Sequence, residues 1–305
     1  MRSDLIQATA KRGWGISNFD IKVIGITLML LDHIHEMFNT VGVPNWVDWF
    51  GRPVATIFFF LSVEGFTHTH NQKRYLTRLL IGFWVMQIGN MVIQHFYPMD
   101  SFALINNIFG DLFVGVLTMY GIQQISEGRK HHQQGKIWGG ILAIILPLIF
   151  GVLTIAAVSV AGTNAIWAKM IMLLPSPMLA ENSFMLYLGP LMYLVRKKRS
   201  WQMLAVVAMA IVSTGFNFST MFTTNFQWLM VFAIVPMFFY NGKLGRSMKA
   251  SSTPSTHCTF GYCISLPGLW VWDTKNTKKD SSLRNPFLMA ILSQIHTMLK
   301  SNIPN

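Results

Sequence analysis

The stretch Asp20-Ile21-Lys22-Val23-Ile24-Gly25-Ile26-Thr27-Leu28-Met29-Leu30-Leu31-Asp32-His33-Ile34-His35-Glu36-Met37-Phe38 decides the fold. It approaches the ~20 residues that cross a bilayer as a helix. In hydrocarbon the backbone must satisfy its own hydrogen bonds, so such a run reads as α-helix. Yet it holds Lys22, Asp32, His33, His35 and Glu36. Each ionisable group inside a membrane helix costs about 2.5–3.5 kcal/mol on insertion scales, so each needs a partner or a purpose. Lys22 and His33 are close to three turns apart, so they share a face about 16 Å apart along the axis. Asp32 and Glu36 stand at i, i+4, and Asp32 and His35 at i, i+3. This helix therefore turns a wet face toward the protein interior or an aqueous cavity.

The rest of the chain repeats the theme. Its 305 residues are 52% hydrophobic and only 12% charged, with a mean hydropathy of +0.41. A soluble domain carries about 25% charged residues. The apolar runs predict an all-α polytopic membrane protein with eight spans, near 20–38, 49–67, 75–95, 102–125, 137–160, 182–195, 201–216 and 225–240. Pro175-Ser176-Pro177 interrupts the region 166–195, which predicts a half-helix or re-entrant piece before a short sixth span.

The net charge of +12 does not point to nucleic acid, because the basic residues sit between apolar runs. Arg2, Lys11 and Arg12, then Lys73, Arg74 and Arg78, then Arg129, Lys130 and Lys136, then Arg196 to Arg199, then Lys243, Arg246 and Lys249 all fall on one side. The positive-inside rule makes that side, and the N-terminus, cytoplasmic in a bacterial cell membrane. Three regions follow: a cytoplasmic segment 1–19, a membrane domain 20–249, and a polar tail 250–305. Cys258 and Cys263, the only cysteines, give no disulfide framework. No cleavable signal peptide is expected, since the first apolar run continues into a full span.

Polar groups concentrate in the first four spans. The second opens with Gly51-Arg52-Pro53 and carries Ser62, Glu64 and His68, the last two at i, i+4. The third offers Gln87, Asn90 and Gln94, which suit bonds to neighbouring helices. The fourth offers Asn106, Asn107 and Asp111. Arg52 is placed to pair with Asp48 at the outer interface, and His35 and Glu36 are equally compatible with a solvated role. Asp32, His33 and Glu64 are the strongest candidates for chemistry. An imidazole near its ordinary pKa takes a proton from a nucleophile. A carboxylate bonded to it fixes its tautomer. Adjacent Asp32 and His33 project about 100° apart, so Glu64 is the better orienting partner. Asp32, His33 and His35 also form a conceivable metal set, but no zinc spacing, Walker motif or phosphate loop is present, and no tightly bound cofactor is expected.

Residues 21–38 resemble the opening helix of the TraX family, named for the membrane protein that N-acetylates conjugative F-type pilin. Gly51-Arg52-Pro53-Val54-Ala55 with Phe58-Phe59-Phe60-Leu61-Ser62-Val63-Glu64-Gly65-Phe66-Thr67-His68-Thr69 looks like its second signature, and Tyr75 to Leu79 with Arg78, and Asn106-Asn107-Ile108-Phe109, also match. The resemblance covers roughly 19–249. TraX-like proteins are in turn similar to acyltransferase-3 membrane acyltransferases, whose basic residue and histidine in the first helix are spaced as Lys22 and His33 are. The resemblance implies transfer of an acetyl group from acetyl-CoA, as cosubstrate, to a peptide or glycan acceptor. His33 would be the base, with Asp32 or Glu64 orienting it. Lys22, Arg52, His68, Arg78, Asn106 and Asn107 would bind substrate or CoA, and the basic loops would hold its phosphates.

The tail departs from that pattern. A further helix opening on a Phe-Tyr-Pro-x-His-type motif is expected where Ala250 to His257 stand. Those codons, read two bases on, permit Ile-Phe-Tyr-Pro-Phe-His, so a frameshift near codon 249 is the reading of the tail. Two rivals remain at this level. One is a proton-coupled carrier using the same charges, against which the lack of inverted repeats argues. The other is a catalytically inactive membrane protein.

Overall fold

The computed structural model describes residues 15–38, 44–96, 107–161, 166–179, 183–216 and 225–243. Asn106 and the tail 250–305 lie outside the described residues. So does the whole of the second of two compact units, Leu266–Asn305. The described residues are helical and include no strand. The helices are α1 (Asn18–Phe38), α2 (Arg52–His68), α3 (Gln72–Phe96), α4 (Ile108–Lys130), α5 (Gln134–Ala161), α6 (Ile166–Ile171), α7 (Leu188–Leu194), α8 (Arg199–Ser213) and α9 (Ile234–Phe239).

α1 starts where its cap dictates. The Ser17 N–H donates to Asp20 Oδ2 at 2.7 Å, and the Asp20 N–H to Ser17 Oγ at 3.4 Å. That reciprocal pair satisfies donors no helical carbonyl can reach. α2 follows a 3₁₀ turn, Asn45–Phe50, with Pro53 in its first turn, where a missing N–H costs nothing. Val54, Ala55, Ile57, Phe59, Phe60, Leu61, Val63 and Phe66 are all buried, so α2 is apolar-buried nearly all round and is the central helix.

α1 and α2 run antiparallel in close contact. A Cβ built on Gly25 would meet Ile57 Cγ2 at 3.3 Å, and one built on Gly51 would overlap the Asp32 carboxylate. α4 and α5 form a hairpin whose backbones touch: a Cβ on Gly121 would stand 2.6 Å from the Gly140 carbonyl oxygen, and one on Gly140 2.6 Å from that of Gly121. Small residues at such a seam allow the backbone approach that drives helix association in lipid.

The proline-interrupted region is broken as expected. α6 is followed by 3₁₀ turns Pro177–Leu179 and Ser183–Tyr187 before α7. The region 225–240, expected as one helix, is a 3₁₀ segment Gln227–Ala233 followed by α9. A continuous α-helix there would set the Pro236 ring against the Phe232 carbonyl.

Among the described residues, two helices are long and apolar enough to cross a membrane by length and composition, Ile108–Lys130 and Gln134–Val160. α5 leaves Trp138, Leu142, Ile145, Leu148, Ile149 and Val152 uncovered. α1 and α3 have the length, but α1 carries Asp20, Lys22, Asp32 and Glu36, and α3 carries Lys73, Arg74 and Arg78.

A short strap closes one end. Ile16 N–H donates to the Phe239 carbonyl and Asn241 N–H to that of Ile16, both at 3.0 Å, and Asn18 N–H to that of Lys243 at 2.8 Å. Ile16 and Tyr240 form an isolated parallel bridge.

Candidate functional site

The antiparallel register sorts the candidate residues into two groups at opposite ends of α2. Asp32 lies against Gly51, and Gly25 against Ile57. Glu64 is therefore level with the start of α1, not with His33. At 1.5 Å per residue the two stand about 20 Å apart along the axis. The expectation that Glu64 orients His33 is corrected by this register.

At one end are Asp32, His33, His35, Asp48, Arg52, Thr56 and Gln227. Arg52 pairs through one terminal nitrogen with both carboxylate oxygens of Asp48, as its spacing predicted. Its other terminal nitrogen donates to Gln227 Oε1 at 3.2 Å. Gln227 is itself set by Asn225, whose side-chain oxygen accepts from the Gln227 N–H at 3.2 Å and whose amide donates to the Ser213 carbonyl at 3.2 Å. The guanidinium is thus fixed in plane from two elements. His35, equally readable as solvated, is buried.

His33 and Arg52 lie at the same level, each next in sequence to a member of the Asp32–Gly51 contact, and both are half-buried. The α2 residues that meet Gly25 are Ile57 and Phe58, while Arg52 reaches Gln227.

At the other end Glu64 meets Arg199 of α8 at 3.2 Å. The Arg199 guanidinium also donates to Gln202 Oε1 at 2.9 Å and lies 4.5 Å from the Phe60 ring centroid and 5.1 Å from that of Tyr240. The Tyr240 hydroxyl is in hydrogen-bonding reach of the Glu64 and Asn18 side chains. His68 Nδ1 lies 2.8 Å from the Glu64 carbonyl oxygen and 3.8 Å from its carboxylate. A carbonyl only accepts, so Nδ1 carries the proton and Nε2 faces solvent.

Other expected residues separate. Lys22 is exposed on α1, and Arg78 exposed on α3. The basic run 196–199 divides: Arg199 turns inward, and Arg196 lies 3.9 Å over the Tyr193 ring and donates to the Tyr193 carbonyl at 2.8 Å. Lys197 and Lys198 remain exposed. Asn107, expected inside a helix spanning 102–125, is instead the N-cap of α4. Its oxygen accepts from the Gly110 N–H at 3.3 Å, while its amide donates to the Phe83 carbonyl at 3.1 Å and to Gln87 Oε1 at 3.3 Å. Those bonds tie α3 to α4. Asp111, fully buried, sits in the first turn of α4, where the helix dipole favours a carboxylate.

Gln227, Tyr240 and Thr56 carry no motif and were not singled out from the sequence. Arg199 was read only with the run Arg196 to Arg199, as a holder of CoA phosphates, and its pairing with Glu64 was missed. Among the described residues, no group of three or more His, Cys, Asp or Glu is gathered closely enough to hold a metal ion.

A family model described as TraX protein matches residues 17–271, which takes in the 20–249 body and continues into the tail. A probable fimbrial assembly protein FimC, serogroup H1, of Dichelobacter nodosus is 38% identical over 73 residues, 23% of this chain and 29% of that protein. The chain thus spans under a third of that relative's length. No solved structure matches.

Proposed function

The chain belongs to the TraX family, and from that premise we propose that it is a multi-pass membrane acyltransferase that moves an acetyl group from acetyl-CoA to an amine or hydroxyl acceptor. The observation that carries this reading is the level shared by His33 and Arg52, both half-buried, at the end of the α1–α2 pair where Asp32 packs against Gly51. A neutral imidazole there deprotonates the acceptor, and Asp32, next in sequence, supports the imidazolium electrostatically. The exposed cations Lys73, Arg74, Arg78, Lys197 and Lys198 attract the CoA phosphates at the opposite, cytoplasmic end. The thioester reaches inward from there.

Eight spans, with the N-terminus inside, complete the proposal. α4 and α5 cross unaided, while the charged or broken helices cross shielded by protein, as polar membrane helices do. The FimC relative is named for fimbrial assembly. A pilin-like N-terminus is a fitting acceptor under this reading, with a surface glycan hydroxyl as the alternative. A proton-coupled carrier is less well supported. The polar face of α2 is interrupted midway by Phe60, which is fully buried.

The test is transfer of labelled acetyl from acetyl-CoA by the purified full chain, alongside its His33→Ala variant. Turnover should fall by at least 100-fold in the variant, within the range that removing a general base costs. Equal turnover in both, or none in the unaltered chain with any acceptor, refutes the proposal.

A further inference from the structure

The i, i+4 ridge of α2 begins with Arg52 and Thr56, one turn apart on the same face. Both present a buried donor that finds no hydrogen-bond acceptor among the described residues: Arg52 Nε and Thr56 Oγ1. Thr56 is 1% exposed. A buried donor left unmatched costs about 1–3 kcal/mol, so two on one face mark a place built for an oxygen that accepts from both. In the middle of a helix a threonine hydroxyl ordinarily satisfies itself on the carbonyl four residues back. Thr118 and Thr154 do so here, at 2.8 Å each, and Thr56 does not.

The character of the guest follows from the charges. The Arg52 cation is already matched by Asp48, and Asp32 adds a second carboxylate close by. A permanent anion would be repelled. An oxygen that is neutral at rest and gains charge only during reaction suits the site. Clamping by Asp48 and Gln227 fixes the Nε–H direction beforehand, and the first turn of α2 adds the positive end of its dipole.

We propose that Arg52 Nε–H and Thr56 Oγ–H hold the acyl carbonyl oxygen and stabilise its oxyanion, with Asp48 and Gln227 as positioning residues. This rests on the acyltransferase reading. His33 takes the proton of the acceptor amine or hydroxyl as its nitrogen or oxygen bonds to the thioester carbonyl carbon. The carbonyl π pair moves onto oxygen, facing the two donors. When the double bond re-forms, the carbon–sulfur bond breaks, and the CoA thiolate leaves and takes the proton from His33.

The experiment compares the unaltered chain with Thr56→Val, Thr56→Ala and Thr56→Ser. Labelled acetyl-CoA is the donor, a short peptide with a free N-terminus is the acceptor, and water serves as acceptor in parallel. Loss of one such donor lowers kcat by roughly 100- to 1,000-fold. We expect a fall of that order in Thr56→Val with KM for acetyl-CoA within about threefold. Thr56→Ser should return to within about tenfold of the unaltered rate, since its hydroxyl supplies the same donor. If Thr56→Val does not fold, Thr56→Ala carries the same expectation without added bulk. Wild-type kcat in the folded Val or Ala variant overturns the inference, as does a rise in KM alone. Turnover that needs His33 but not the Thr56 hydroxyl overturns this inference only. Absence of turnover in the unaltered chain overturns the acyltransferase reading and this inference with it.

Discussion

Replacing Arg199 by Met should destabilise the protein through what it leaves behind. Arg199 faces the Glu64 carboxylate at 3.2 Å, and their side chains are 30% and 13% exposed. Breaking a buried pair by removing one partner costs about 3–5 kcal/mol, because a buried charge is stranded. Tyr240 and His68 still flank Glu64, and Arg199 is partly wet, so the lower end applies, about 2–3 kcal/mol after discounting for solvent screening. Met keeps the apolar contact with the Phe60 and Tyr240 rings, which confines the loss to charge. At about 2–4 °C per kcal/mol for a chain of this size, the unfolding midpoint in detergent should drop by roughly 5–10 °C. Lys197→Met, on an exposed neighbour, should shift it by less than about 2 °C. The decisive variant is Arg199→Met combined with Glu64→Gln, which removes both charges and should recover more than half of the loss. A double variant no more stable than Arg199→Met alone would refute the stranded-charge argument.

Three further outcomes follow from the geometry. Gly121→Val should lower the melting midpoint by at least 5 °C, because its Cβ would fall 2.6 Å from the Gly140 carbonyl, whereas Gly89→Ala, with nothing within 4 Å, should leave it unchanged. Gly51→Ala should keep stability within about 1 kcal/mol, since only the end of a flexible side chain need move, yet lower acetyl transfer at least tenfold by displacing Asp32. Asn107→Ala should cost about 1–2 kcal/mol in denaturant or thermal unfolding through loss of the α4 cap and the bonds to Phe83 and Gln87, with KM for acetyl-CoA unchanged.

Local features were legible in the sequence and relational ones were not. α1 begins within two residues of its expected start, because Ser17 and Asp20 write its cap next to a long apolar run. The pairs Asp48–Arg52 and Glu64–His68 could be read from i, i+4 spacing alone. The partner of Glu64 could not, since Arg199, at the start of α8, lies 135 residues away and only the tertiary fold brings the two together. The same holds for Gln227, 175 residues from Arg52. The register of α1 against α2 depends on which glycine admits which side chain, and hydropathy is blind to that. Asn107 was a different kind of miss. An Asn before an apolar run with an acidic residue in its first turn is a cap signal, whereas hydropathy alone extends the helix back to 102.

The strap between residues 15–18 and 239–243 has a consequence for synthesis. The residues that cap and anchor the first helix are the first described residues to leave the ribosome, yet their backbone partners are the last of the described residues to emerge, more than 220 residues later. At about 5–20 residues per second that interval is on the order of 10–45 s. Throughout it, α1 carries Lys22, Asp32 and His33 with its N-terminal end unfastened. Any nascent chain released before residue 239 keeps that end open. The same closure brings Gly15 beside Asn241, so peptides fused before and after the fastened body depart from one face of it.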